Sequence, residues 1–105
     1  MELKKDKNVR EFLVNVKDYF GKRLKKILFF GSRARGNASP ESDYDCILLV
    51  DEIGSQDEKF IDEIEIKLLL EKNILFSTFL TEEYKFNQRK YEPFLMNAKK
   101  EGIYL

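Results

Sequence analysis

Histidine is absent from the 105-residue chain, and cysteine occurs once. The first absence excludes Ser-His-Asp and Cys-His triads, and histidine-ligated metal sites, built from this chain alone. The second excludes an internal disulfide, which fits a reducing compartment. The lone thiol, Cys46, lies inside an apolar run and reads as a buried structural group rather than a nucleophile. Net charge is lacking too, because 19 basic and 19 acidic residues cancel. No global electrostatic argument then favours an acidic membrane, and direct nucleic-acid binding is not indicated. No apolar stretch approaches the roughly 20 residues that span a bilayer. The start, Met1-Glu2-Leu3-Lys4-Lys5-Asp6, has none of the apolar centre of a signal peptide. A cytoplasmic protein is expected. Internal repeats and low-complexity tracts are also missing.

What is present fits one domain over residues 1–105 with a single core and a large solvated surface. Residues 7–21 carry Val9, Phe12, Leu13, Val16, Tyr19 and Phe20 at helical spacing, with Gly21 as a stop. Residues 25–31 read as a short strand with an apolar centre, Ile27 to Phe30, ended by Gly31. Ser32 can cap a short helix holding Arg33 to Gly36, and Asn37 to Glu41 is a loop broken by Pro40. A second strand spans residues 43–51. Ser55-Gln56-Asp57-Glu58 has the capping-box pattern and opens a helix over residues 56–72, with Phe60, Ile61, Ile64, Leu68 and Leu69 facing the core. Asn73 is a turn residue, and Ile74 to Leu80 a third strand. Thr81 is expected to cap a helix beginning Glu82-Glu83. Pro93 suits the first turn of a last helix, with Gly102 as its stop. The order is α-β-α-β-α-β-α, with the last helix open to a split at Pro93. Amphipathic helices need one common sheet to bury them. The expected fold is a small α/β (α+β) domain with helices packed on a short mixed sheet.

The chemistry concentrates between the first two strands. An apolar run, Leu28-Phe29-Phe30, stops at Gly31-Ser32-Arg33-Ala34-Arg35-Gly36, and after a polar loop Ser42-Asp43-Tyr44-Asp45 opens Cys46-Ile47-Leu48-Leu49-Val50. Strand side chains alternate, so Asp43 and Asp45 share a face, with α-carbons about 7 Å apart. Tyr44 points the other way and is expected to pack beneath them. Two adjacent carboxylates repel when ionised, and a bound Mg²⁺ or Mn²⁺ removes that cost. A solvated, inert loop end also fits Asp-x-Asp. Gly31 lets a phosphate approach the backbone, the following helix start offers free N–H groups, and the Ser32 hydroxyl can donate. A plain strand-to-helix turn capped by Ser32 fits as well. Arg33 and Arg35 suit phosphates or acidic groups on a partner, but alternate positions on a short helix do not point the same way.

Taken together, Gly31-Ser32-Arg33-Ala34-Arg35-Gly36 followed by Ser42-Asp43-Tyr44-Asp45 resembles the minimal nucleotidyltransferase family of the polymerase-β-like superfamily, whose pattern is Gly-Ser-x-Ala-Arg-Gly, a spacer and Ser-Asp-x-Asp. The motif covers residues 31–45, and the element order extends the likeness over most of the chain. The resemblance implies that Asp43 and Asp45 are catalytic and hold a divalent metal, Mg²⁺ or Mn²⁺. It implies that Gly31 and Ser32, with Arg33 and Arg35, bind a nucleoside triphosphate, with ATP the expected donor. An acceptor hydroxyl would then take the nucleoside monophosphate. One departure stands out: the family's active members supply a third carboxylate from the third strand, and Ile74-Leu75-Phe76-Ser77-Thr78-Phe79-Leu80 has no acid. The resemblance also implies an antitoxin whose partner is a helical HEPN-type protein, modified on a hydroxyl. Residues 91–105 are a candidate contact surface, although a helix docked on its own core is the favoured reading of that segment, and a homo-oligomer is a further option. The alternatives are a catalytically weak or inactive antitoxin that neutralises its partner by contact and, last, a small-molecule nucleotidyltransferase, for which no acceptor domain is visible.

Overall fold

The computed structural model describes residues 2–88 and 92–105. Its elements are α1 (Lys7–Phe20), β1 (Leu24–Phe30), α2 (Ser32–Arg35), β2 (Tyr44–Val50), α3 (Asp57–Lys72), β3 (Phe76–Glu82), α4 (Glu83–Gln88), α5 (Pro93–Glu101) and β4 (Ile103–Tyr104). Short 3₁₀ turns precede and follow α1. The four strands form one sheet in the order β3-β2-β1-β4. β1 is antiparallel to both β2 and β4, whereas β2 and β3 run parallel and are joined by α3. The mixed sheet and the split last helix match the expected α/β (α+β) architecture. The two-residue β4 is an addition, since a pairing that short has no sequence signature.

Each face of the sheet carries its own core. On one face Val9, Phe12, Val16 and Phe20 of α1, with Ile61, Ile64 and Leu68 of α3, pack on Ile27, Phe29, Tyr44, Cys46, Leu48, Val50 and Phe76. Phe76 lies between two rings, stacked on Phe12 at 4.4 Å and on Tyr44 at 4.5 Å. On the other face Phe86 of α4, with Leu95 and Ala98 of α5, covers Leu28, Ile47 and Leu49. β2 is therefore buried on both sides along most of its length, which accounts for its unbroken apolar run. Burial pushes the Cys46 thiol up to about 12, so it is an inert packing group as expected.

Several local expectations shift. β3 begins and ends two residues later than the sequence pattern suggests, because its parallel register with β2 continues to the pair Val50–Glu82. Thr81 consequently lies inside β3, with Glu82 between it and the start of α4. The capping box at Ser55 does not form: Gln56 is the residue before α3, without a side-chain cap bond. Instead Asp57, only 1% exposed, turns back to accept the Gly54 N–H at 2.7 Å and a two-point bond from Arg23 at 2.8 and 3.1 Å. Tyr19 donates to the same carboxylate at 2.8 Å. Leu69 is exposed rather than in the core, because α3 carries leucines on more than one side. Gly21 and Asn73 end their helices with positive φ, Asn73 in the left-handed region and Gly21 at ψ −130°, as the sequence indicates. Gly102 ends α5 for a different reason. Its φ is ordinary, but a Cβ there would run into Leu28 and the Phe29 carbonyl. Of the candidate contact segment, Tyr91 lies outside the described residues.

Candidate nucleotide and metal site

The site lies where β1 ends and β2 begins. Gly31 leaves β1 with φ 77° and ψ −162°, a conformation open essentially to glycine alone. That turn makes Gly31, not Ser32, the residue before α2; its carbonyl accepts from Ala34 and Arg35 at 3.1 and 3.0 Å. Ser32 is the first helical residue, makes no cap bond, and is half-buried. A left-handed Gly36 closes the turn, its N–H donating to the Ser32 carbonyl at 3.0 Å.

Gly31 has a second task. A Cβ at this position would stand 2.6 Å from Asp45 Oδ2. The missing side chain is what lets the Asp45 carboxylate lie against the turn. Asp45 itself is half-buried within β2, in register with Phe30 on β1 and Ser77 on β3. Asp43 is exposed and stands one residue ahead of the strand. Burial raises the Asp45 carboxyl above the usual range, and the charge of Asp43 raises it further, while Arg35 opposes both. Two carboxylates that feel each other this way are a donor pair short of positive charge. They fit a hard divalent cation, since Mg²⁺ commonly takes one or two carboxylates and completes its shell from phosphates and water. Among the described residues no cluster of three or more Asp, Glu, Cys or His groups is placed to hold an ion.

The arginines separate, as their spacing requires. Arg33 turns to the Tyr44 side of β2. Its guanidinium lies 4.2 Å from the Tyr44 ring centroid, its Nε and Nη2 donate to the Ser42 carbonyl at 3.3 and 2.9 Å, and Nη2 also reaches the Pro40 carbonyl at 3.2 Å. Arg35 is exposed and pairs with Glu101 at the end of α5 at 3.0 Å. Tyr44 is 1% exposed, beneath the aspartates as expected. Its hydroxyl donates to Asp6, whose carboxylate also accepts the Asn8 and Val9 N–H groups at the start of α1. Sequence reading missed Asp6. The signal was there: an acidic capping residue three positions before Val9, the first apolar position of the helical stripe.

Ser77 occupies the β3 position beside Asp45. The nearest acids further along lie at the far end of that strand and are engaged there. Glu82 accepts from the Ile53 N–H and pairs with Lys85, both at 3.1 Å, and Glu83 faces Lys26 at 3.9 Å. Thr78 is on the opposite face, its N–H bound by Glu65 at 2.8 Å. Two hollows of about 460 and 650 Å³ flank α2 between Arg33, Gly36 and the chain around Leu3, and neither is lined by Asp43 or Asp45.

A glycine-serine turn set against an Asp-x-Asp strand, on a mixed sheet, defines the nucleotidyltransferase class. The chain belongs to the nucleotidyltransferase domain family, whose model matches residues 9–105. It is 31% identical over 100 residues to "Putative protein adenylyltransferase MJ0604" of Methanocaldococcus jannaschii, covering 95% of this chain and 96% of that protein. Two solved structures share the fold. One is described as a toxin-antitoxin with AMP-PNP, with TM-score 0.60, 16% identity, and coverage of 90% of this chain and 69% of the other. The second is a mutant of the toxin-antitoxin MntA-HpeT, with TM-score 0.59, 14% identity and the same coverage of 90% and 69%.

Proposed function

We propose that this protein is a metal-dependent nucleotidyltransferase that moves AMP from ATP to a hydroxyl on a partner protein. The observation that carries the reading is the half-buried Asp45, seated against Gly31 with its pKa raised by burial and by Asp43. In this reading Asp43 and Asp45 hold Mg²⁺ or Mn²⁺ against the triphosphate. A bound cation would neutralise charge on the phosphates and sharpen the acceptor hydroxyl as a nucleophile. The Gly31-Ser32 turn takes the β- and γ-phosphates through its backbone N–H groups and the Ser32 hydroxyl. Arg35 leaves Glu101 for phosphate, an exchange of one exposed ion pair for another that costs little. The acceptor oxygen attacks the α-phosphorus, the bond to the bridging oxygen breaks, and pyrophosphate departs with the electron pair. The hydroxyl proton goes to solvent or to a group on the partner, since Ser77 is no strong base.

The partner in this proposal is a helical HEPN-type toxin, in line with the toxin-antitoxin pairs that share the fold. The test is transfer of label from α-labelled ATP, with Mg²⁺, to a co-encoded helical protein. Transfer that survives Asp43→Asn together with Asp45→Asn would sink the mechanism. A second reading, neutralisation by contact alone, is favoured by Ser77 standing beside Asp45. It predicts that the double variant still neutralises the partner; loss of neutralisation with binding intact excludes it.

A further inference from the structure

Of the two aspartates, only Asp45 is locked in the sheet. Asp43 depends on the loop before it, which is closed on itself by bonds between Ser39 and Ser42 and is tied to α2 at Asn37, and just ahead of Asp43 it is gripped by one side chain from α2. The Ser42 carbonyl belongs to the peptide that leads directly into Asp43. It accepts two N–H groups from Arg33, and the Pro40 carbonyl accepts one of them as well. The guanidinium is itself seated on the Tyr44 ring. That ring is held by its stack on Phe76 and by its hydroxyl bond to Asp6 at the start of α1. A flat cation thus bridges the peptide ahead of one aspartate to the residue between the two.

From this geometry we infer that Arg33 is a positioning residue, fixing Asp43 at the separation from Asp45 that lets one divalent cation contact both. The inference rests on the metal-dependent reading above. It gives Arg33 a different task from phosphate binding, since its Nε and Nη2 are already turned onto the loop carbonyls. A lysine cannot substitute, because the grip needs a planar fork for the carbonyls and a flat face for the ring.

The experiment uses the full chain with Mn²⁺ as probe. Mn²⁺ is titrated at fixed ATP and bound metal is read by electron paramagnetic resonance, while hydrogen exchange of residues 37–43 and melting temperature are followed alongside. Arg33→Lys and Arg33→Gln are expected to weaken Mn²⁺ binding by about tenfold, as loss of an outer partner of a metal ligand typically does. Exchange in residues 37–43 should rise, while melting temperature and binding at saturating Mn²⁺ stay as in the wild type. Wild-type Mn²⁺ affinity in Arg33→Lys would overturn the inference, because charge alone would then suffice. So would a lowered melting temperature with unchanged affinity in Arg33→Gln, which would confine the residue to stability. If the wild type and the Asp43→Asn, Asp45→Asn double variant bind Mn²⁺ alike, the underlying reading fails first, before any Arg33 variant is measured.

Discussion

Gly31→Ala is the substitution that most directly tests how the site is built. Two effects act at this position. The backbone, at φ 77° and ψ −162°, strains any residue with a Cβ by about 1–3 kcal/mol. The new methyl would also stand 2.6 Å from Asp45 Oδ2. An ordinary carbon–oxygen contact is about 3.3 Å or more, so the carboxylate must retreat by roughly 0.7 Å. Gly36→Ala separates the two effects. Its φ is 83°, but nothing lies within 4 Å of a Cβ there, so only strain remains, about 1–2 kcal/mol. Both variants should melt lower, by about 4–8 °C for each kcal/mol in a domain of this size. Only Gly31→Ala should also lose transfer. A ligand displaced by nearly 1 Å costs up to about a hundredfold in rate. The assay is label transfer beside thermal melting, with both variants held well below their midpoints. If Gly31→Ala and Gly36→Ala lose transfer equally, the glycine serves conformation alone and the close approach of Asp45 has no bearing on function.

Two further outcomes follow from the carboxylates. Asp45→Asn removes a half-buried charge that faces Asp43, so it should raise the melting temperature of the metal-free protein at neutral pH while abolishing metal-dependent ATP binding; the gain should fade as pH falls and the wild-type Asp45 becomes protonated. Asp57 runs the other way: its folded pKa, held at about 2 chiefly by Arg23 against an ordinary 3.8, stabilises the fold by about 2 kcal/mol above that ordinary value. This contribution is lost as pH falls from 3.8 towards 2, so urea unfolding at pH 5 and pH 2.5 should show a smaller acid loss in Asp57→Asn than in the wild type.

The geometry of the candidate site was more legible in the sequence than that of its supports. Alternation placed Asp43 and Asp45 opposite Tyr44, and continuous apolarity identified β2 as a strand covered on both faces. Both are local periodicities, and burial enforces them. Arg33 could not be resolved in the same way, because its partners are the carbonyls of Pro40 and Ser42, and main-chain oxygens leave no mark in a sequence. The displacement of β3 has a related cause. Ile74 to Leu80 has apolar residues on both sides of Ser77-Thr78 and no strict alternation, so the pattern has no preferred start, and pairing with β2 decides it. The capping box at Ser55 is displaced because α3 starts at Asp57 with Gln56 before it, while the Asp57 carboxylate takes the Gly54 N–H and Arg23 from a 3₁₀ turn 34 positions earlier. Ser32 gave up its cap role because Gly31 could adopt a backbone closed to other residues.

β2 is enclosed by helices on both faces and by strands on both edges, which ties the opening of its amides to loss of the whole fold. Asp45 belongs to that unyielding part. Asp43 sits just beyond its end, on chain held by a side-chain grip rather than by ladder pairing. If the pair holds a cation as proposed, one ligand would be anchored by the sheet and the other by its loop. Under the proposed function, a pair of that kind would accept ions of somewhat different radius at modest cost, and tolerance between Mg²⁺ and Mn²⁺ would follow from where the strand stops.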